Sequence, residues 1–241
     1  MILRAAASSD VGRRRRTNED RYALAPELGL FLVADGMGGH TAGQVASDVA
    51  ARAMVRAVGA AEAAAASPAE RLRGAVAEAN AEVFQMAQDK PELSGMGTTL
   101  VALLGAERRI ALAHVGDSRA YLARCGLIHR LTEDHSLVGE LVRRREIPAD
   151  AAREHPHRHV LTRALGVRRH VEPELLEVSP ERGDVFLLCS DGLTTHVADH
   201  EIAGAVAASP DLQHTCDALV ELANARGGED NVTVLLVRYG A

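Results

Sequence analysis

The chain has no tryptophan and only three phenylalanines and three tyrosines in 241 residues. Hydrophobic residues still make up 47%, so a sizeable core is possible, but it must be aliphatic, built from Leu, Val and Ala. Lysine is nearly absent too: Lys90 is alone, and positive charge rests on arginine. A formal net charge of −6 argues against a general nucleic-acid binder. The cysteines, Cys125, Cys189 and Cys216, lie far apart. This excludes a disulfide frame and leads us to expect reduced thiols and a cytoplasmic protein. No stretch approaches the roughly 20 apolar residues that span a bilayer, and Met1-Ile2-Leu3-Arg4 opens no signal-like run. No partner is therefore expected in the membrane or in nucleic acid. Repeats and low-complexity linkers are absent as well, so one domain over residues 1–241, acting as a monomer, is the simplest expectation.

Hydrophobic patterning gives the elements. Leu28 to Ala34 reads as a buried strand ending at Asp35, followed by a glycine-rich loop through His40. A helix is expected from about Ala42 to Ala64. A second starts at Ser67-Pro68, an N-cap followed by Pro at the first helical position. Thr98–Leu104, Ile110–Val115 and Arg119–Ala123 read as short strands. Ser136–Arg144 reads as a helix, and the His-rich Ala149–Val160 region as a surface flap. Asp184–Cys189 reads as a buried strand, Asp199–Ala208 and Asp211–Ala225 as helices, and Asn231–Tyr239 as a closing strand. Strands and helices come in blocks, which favours an α+β layered fold over a doubly wound parallel sheet.

Aspartates recur where apolar strands run out. Asp35 follows Phe31-Leu32-Val33-Ala34, Asp191 follows Leu187-Leu188-Cys189-Ser190, and Asp117 follows His114-Val115-Gly116. Asp230 precedes the last strand. Asp-Gly is an ordinary turn dipeptide, and any one of these could be only that. Four together would repel unless a cation joined them, and an all-oxygen donor set suits Mg²⁺ or Mn²⁺. Near the N-terminus, Arg13 to Arg16 form a basic run. It reads either as a surface patch or as the source of one guanidinium fork aimed at a phosphate beside the ions, with Glu19 close by.

These segments together resemble the metal-dependent protein phosphatases of the PP2C (PPM) family in its compact bacterial form. The matching stretches are Ser9-Asp10-Val11-Gly12 with Arg15 and Asn18-Glu19-Asp20, then Asp35-Gly36-Met37-Gly38-Gly39-His40. Gly95-Met96-Gly97-Thr98-Thr99, Gly116-Asp117-Ser118-Arg119-Ala120-Tyr121 and Leu131-Thr132-Glu133-Asp134-His135-Ser136 follow. Leu161-Thr162-Arg163-Ala164-Leu165-Gly166, Ser190-Asp191-Gly192-Leu193 and Asp230-Asn231 complete the order. The resemblance implies a four-layer αββα sandwich of two mostly antiparallel sheets flanked by helix pairs. It also implies hydrolysis of phosphoserine or phosphothreonine in proteins by a water that two Mn²⁺ or Mg²⁺ ions activate. By match to the family, Asp35 bridges both ions, Gly36 offers a carbonyl, Asp191 and Asp230 complete one ion, and Glu19 acts through water. Arg15 binds phosphate and Asn231 orients Asp230. The partners implied are phosphorylated proteins, targets of a bacterial Ser/Thr kinase or that kinase itself.

Three departures from the family pattern matter. Met37 stands where eukaryotic members carry a histidine proposed to protonate the leaving oxygen, which leaves His40 or a water for that task. Thr195 stands where many members have a second Asp, which puts in doubt a third, weaker ion at Asp117. In the flap, Arg143-Arg144-Arg145 reads as a basic substrate-facing element, while His155, His157 and His159 read as a solvated surface rather than a zinc site. A cysteine-based alternative fails: the residues six after the three cysteines are Leu131, Thr195 and Leu222, none an arginine. Two further readings stay open, a catalytically weak phosphoprotein-binding module of this fold and a sigma-factor-pathway phosphatase.

Overall fold

The structure is a computed structural model, described for residues 2–38, 41–60, 67–106, 108–148 and 151–240. In chain order the strands are β1 (Leu3–Asp10), β2 (Asp20–Ala25), β3 (Leu30–Met37), β4 (Gly97–Thr98), β5 (Leu100–Ala106) and β6 (Arg109–Val115). After them come β7 (Arg119–Arg124), β8 (Leu127–Arg130), β9 (Glu174–Val178), β10 (Val185–Cys189) and β11 (Val232–Tyr239). The helices are α1 (Ala42–Ala60), α2 (Pro68–Asp89), α3 (Leu137–Arg143), α4 (Asp191–Thr194), α5 (Asp199–Ala208) and α6 (Leu212–Ala225). One sheet runs β1-β11-β10-β7-β8 and the other β2-β3-β5-β6-β9, with β4 pairing β3. Every named pairing is antiparallel.

The central strands are apolar on both faces because both faces are covered. In β3, Phe31 and Val33 point between the sheets, while Leu30, Leu32 and Ala34 point toward α1 and α2. In β11, Leu235 and Val237 face inward, and Val234 and Leu236 meet α5 and α6. This two-residue alternation builds the expected four layers. The inter-sheet layer closes on Phe31, Leu103, Ile110, Phe186 and Leu188; each fully buried large side chain stabilises by ~1.5–3 kcal/mol. Where aromatics are missing, alanine lets backbones approach: α1 buries Ala46, Ala50, Ala53 and Ala57.

Helix α2 starts where the sequence signals it. Ser67 Oγ accepts from the Glu70 amide at 3.2 Å, and the Ser67 amide donates to Glu70 Oε2 at 2.8 Å. One boundary differs from the sequence reading. β3 continues through Met37 rather than stopping at Asp35, because Gly36 and Met37 pair with Thr98 and Gly97 of β4. Asp191, just past the end of β10, opens the short helix α4. Helix α1 is described over Ala42–Ala60, and the remainder of its expected span lies outside the described residues. Strands β1, β2, β8 and β9 add to those the patterning identified. Cys125, Cys189 and Cys216 are free. No helix among the described residues is long and apolar enough to cross a membrane.

Candidate metal centre

The site lies at one edge of the sandwich, where β3, the β6–β7 turn, the end of β10 and the start of β11 meet the segment before β2. Glu19, Asp35, Asp117, Asp191 and Asp230 line one cleft of about 380 Å³, with Arg15, Gly36, Met37, Thr195, Asn231 and His159. These carboxylates come from positions 19 to 230, and the topology alone brings them together. His40 lies outside the described residues.

The backbone that carries Asp35 and Asp117 is held by backbone and hydroxyl contacts. The Asp35 amide donates to Thr99 Oγ1 at 3.0 Å. The Asp35 carbonyl accepts from Thr98 Oγ1 at 2.9 Å and from the Thr99 amide at 2.8 Å. Thr99 Oγ1 also meets Ser118 Oγ at 2.7 Å, which ties Asp35 to the Asp117 turn. That turn is clamped again from the segment after β8. Arg119 reaches both oxygens of Asp134, at 3.0 and 2.7 Å. His135 takes both backbone groups of Gly116, donating its amide at 2.7 Å and accepting at Nδ1 at 3.1 Å. Gly36 of β3 meets Gly43 of α1 backbone to backbone, and Gly192 of α4 meets Asn231 just before β11. A Cβ on Gly36 would stand 2.0 Å from the Gly43 carbonyl oxygen, and one on Gly192 2.0 Å from the Asn231 carbonyl oxygen.

Asn231 contacts both Asp230 and the N-terminal segment. Its backbone amide donates to Asp230 Oδ1 at 2.8 Å. Its side chain instead holds the N-terminal segment: Oδ1 accepts from the Glu19 amide at 2.8 Å, and Nδ2 donates to the Val11 and Thr17 carbonyls at 2.9 and 3.0 Å. That segment carries Arg15, whose Nη2 donates to Asp230 Oδ2 at 2.7 Å. Behind the cleft, Asp20 is buried. Its Oδ2 accepts from Ser190 and Thr233, each at 2.7 Å, while Oδ1 has no partner.

The electrostatics are those of a site built for positive charge. Desolvation, then repulsion from Asp20, Asp191, Asp117 and Asp230, holds the Asp35 carboxyl well above its usual range. Desolvation and Asp191 do the same to Asp117; desolvation and Asp230 raise Asp191. Burial lifts Asp20 to about 7 despite its two hydroxyl donors. So many crowded, desolvated carboxylates, one with an orphaned oxygen, are costly without a countercharge. The donors are all oxygen, which fits hard divalent cations.

Arg143 is engaged with the Asp134 carbonyl and Glu133, and Arg144 with Glu140; neither lines the cleft. His159 does, with Nδ1 4.0 Å from Asp191 Oδ2; its place in a His-rich exposed run hid it. A different histidine pair is close enough, with Glu174, to hold an ion. His114 Nδ1 and His135 Nε2 each lie 3.5 Å from Glu174 Oε2. The Gly116 amide on His135 Nδ1 places the remaining ring proton on Nε2, so His135 meets Glu174 as a donor, not as a ligand atom.

The model of the Protein phosphatase 2C family matches residues 8–232. The chain belongs to this family. It is 42% identical over 242 residues to the serine/threonine phosphatase stp of Listeria monocytogenes, covering 98% of this chain and 95% of that protein. The crystal structure of the Mycobacterium tuberculosis serine/threonine phosphatase PstP/Ppp superposes with a TM-score of 0.92 at 38% identity, covering 100% of both chains. The catalytic domain of PstP in complex with two manganese ions gives 0.88 at 38% identity, covering 98% of this chain and 97% of that one. As in other PP2C proteins, the two sheets are antiparallel and helices cover both outer faces. The PP2C family is metal-dependent, in keeping with the carboxylate cleft.

Proposed function

We propose that this chain hydrolyses phosphoserine and phosphothreonine esters in proteins, as one catalytic unit over residues 1–241, with two Mn²⁺ or Mg²⁺ ions. The observation that carries this reading is the convergence of Glu19, Asp35, Asp191 and Asp230 in a single cleft beside Arg15. Asp35 would bridge the ions with the Gly36 carbonyl as a neighbouring ligand, Asp191 and Asp230 would complete one ion, and Glu19 would act through water. Asp117 would serve a third, weaker site, since Thr195 supplies no second carboxylate there. When bound, such ions supply an acidified water for in-line attack and positive charge for the phosphoryl oxygens.

The chain's own groups do the rest. Arg15, held by Asp230 at 2.7 Å, is placed to turn its fork onto the phosphate. Asn231 keeps that segment at its distance from the carboxylates. Met37 has no proton to give, so His40 or a water would protonate the leaving oxygen. The complete set of charged groups favours hydrolysis over a binding-only module. We place the protein in the cytoplasm, as a monomer acting on targets of a Ser/Thr kinase.

The test is hydrolysis of a phosphothreonine peptide with Mn²⁺, with EDTA, and by Asp35→Ala and Asp191→Ala. Activity should require the ion and fall by at least about a hundredfold in either variant. Activity that survives EDTA, or full activity in either variant, would refute the assignment.

A further inference from the structure

The cleft floor is acidic, but its two borders are not. Residues 11–17 read Val-Gly-Arg-Arg-Arg-Arg-Thr, and residues 155–161 read His-Pro-His-Arg-His-Val-Leu. Neither stretch contains an Asp or Glu, in a chain that has 33 acidic residues against 27 basic ones. The first enters the cleft through Arg15 beside Asp230, the second through His159 beside Asp191. The arginines next to these two residues, Arg14, Arg16 and Arg158, are exposed. None of them forms an ion pair with a described residue. Adjacent unmatched guanidinium groups repel one another and raise the local potential, which draws anions toward the opening between them.

We propose that Arg14, Arg16 and Arg158 read anionic side chains flanking the phosphoresidue, so that the preferred substrates are acidic or multiply phosphorylated segments. The proposal rests on the phosphatase reading above and names the substrate class of that same site. Consecutive Cα atoms are about 3.8 Å apart, so residues one or two places from a phosphoresidue at Arg15 pass beside Arg14 and Arg16. Guanidinium forks match carboxylate and phosphoryl oxygens equally well in geometry. Exposed pairs of this kind contribute little each, so they govern selection between peptides rather than the chemical step.

The experiment compares four substrates with the Mn²⁺-loaded enzyme: a phosphothreonine peptide with neutral flanks, the same peptide with Asp and Glu flanks, one with a second phosphoserine, and a small aryl phosphate. At low salt the two anionic peptides should exceed the neutral one in kcat/KM by about three- to tenfold, and the gain should shrink as salt is added. In the R14A/R16A/R158A variant both should fall to the neutral peptide's value, while the neutral peptide and the aryl phosphate are turned over as before. A gain for the second phosphoserine alone assigns the reading to phosphoryl groups; an equal gain for Asp and Glu shows that carboxylates suffice. Equal kcat/KM for all three peptides at low salt overturns the proposal. So does a variant that loses the same factor on all four substrates, or a single-stranded oligonucleotide that outcompetes both anionic peptides. If no phosphopeptide is hydrolysed under any metal condition, the phosphatase reading itself fails, which is a separate outcome.

Discussion

Asn231 shows how much one side chain can decide at this site. It is nearly fully buried, and its amide satisfies the Glu19 amide and the Val11 and Thr17 carbonyls at once. Asn231→Ala removes these three hydrogen bonds without altering a single proposed ligand. We expect a loss of about 2–4 kcal/mol in urea unfolding and a fall in kcat/KM well beyond tenfold, because Arg15 and Glu19 lose their tether. Asn231→Asp keeps one acceptor, loses both donors and adds another carboxylate to a crowded cluster, so it should be no better. An Asn231→Ala enzyme with wild-type kcat/KM would show that the N-terminal segment holds itself in place.

At the scale of elements, α1 and α2 offer a contrast. Gly43, near the start of α1, touches both Gly36 and Glu19: an added Cβ would stand 2.0 Å from Glu19 Oε2 and 2.8 Å from the Gly36 carbonyl. Gly43→Ala should therefore push α1 off β3 and displace Glu19. The Mn²⁺ concentration needed for half activity should rise by about tenfold or more, with helix content by circular dichroism unchanged. Ser67→Ala removes the cap of α2, far from the cleft, and should cost about 1 kcal/mol of stability with kcat unaltered. If Gly43→Ala behaved like Ser67→Ala, the helix–strand contact would have no part in shaping the site. Elements such as α2 were legible because their signals are local: a cap, a proline and a helical period. β1 and β9 were not. β1 reads Leu-Arg-Ala-Ala-Ala-Ser-Ser-Asp, with no β-branched residue, and becomes a strand because β11 pairs with its full length. β9 exposes much of both faces at a sheet edge, which blurs its alternation. The carboxylates stood out as motifs on strand ends. The Asn231 tether, the hold of Thr98 and Thr99 on Asp35, and the entry of His159 did not, since each depends on contacts between segments far apart in the chain.

Taken whole, the molecule assembles its acidic cluster only by folding, from residues near both ends of the chain, and this links stability to protons and ions together. Asp20, Asp35, Asp117 and Asp191 all hold protons more tightly in the folded state than in the unfolded chain. Without metal, the folded protein binds more protons than the unfolded one from the ordinary carboxyl value of 3.8 up to the raised values, about 7 for Asp20. Its stability must therefore fall as pH rises through that interval. His135 acts in the opposite sense. Burial, then the neighbouring His114, pulls it from 6.5 to about 4, so it favours the folded state as pH rises between those values. One imidazole is set against several carboxylates, and the carboxylates should dominate. Divalent cations would supply the countercharge that protons supply at low pH. We expect the Tm of EDTA-treated protein to drop between about pH 5 and about pH 7, and the increment given by saturating Mn²⁺ to grow over the same range. Scanning calorimetry at several pH values would measure both. A Mn²⁺ increment of the same size at every pH would mean that the ions do not bind where the protons do, and the raised carboxylates would then need another explanation.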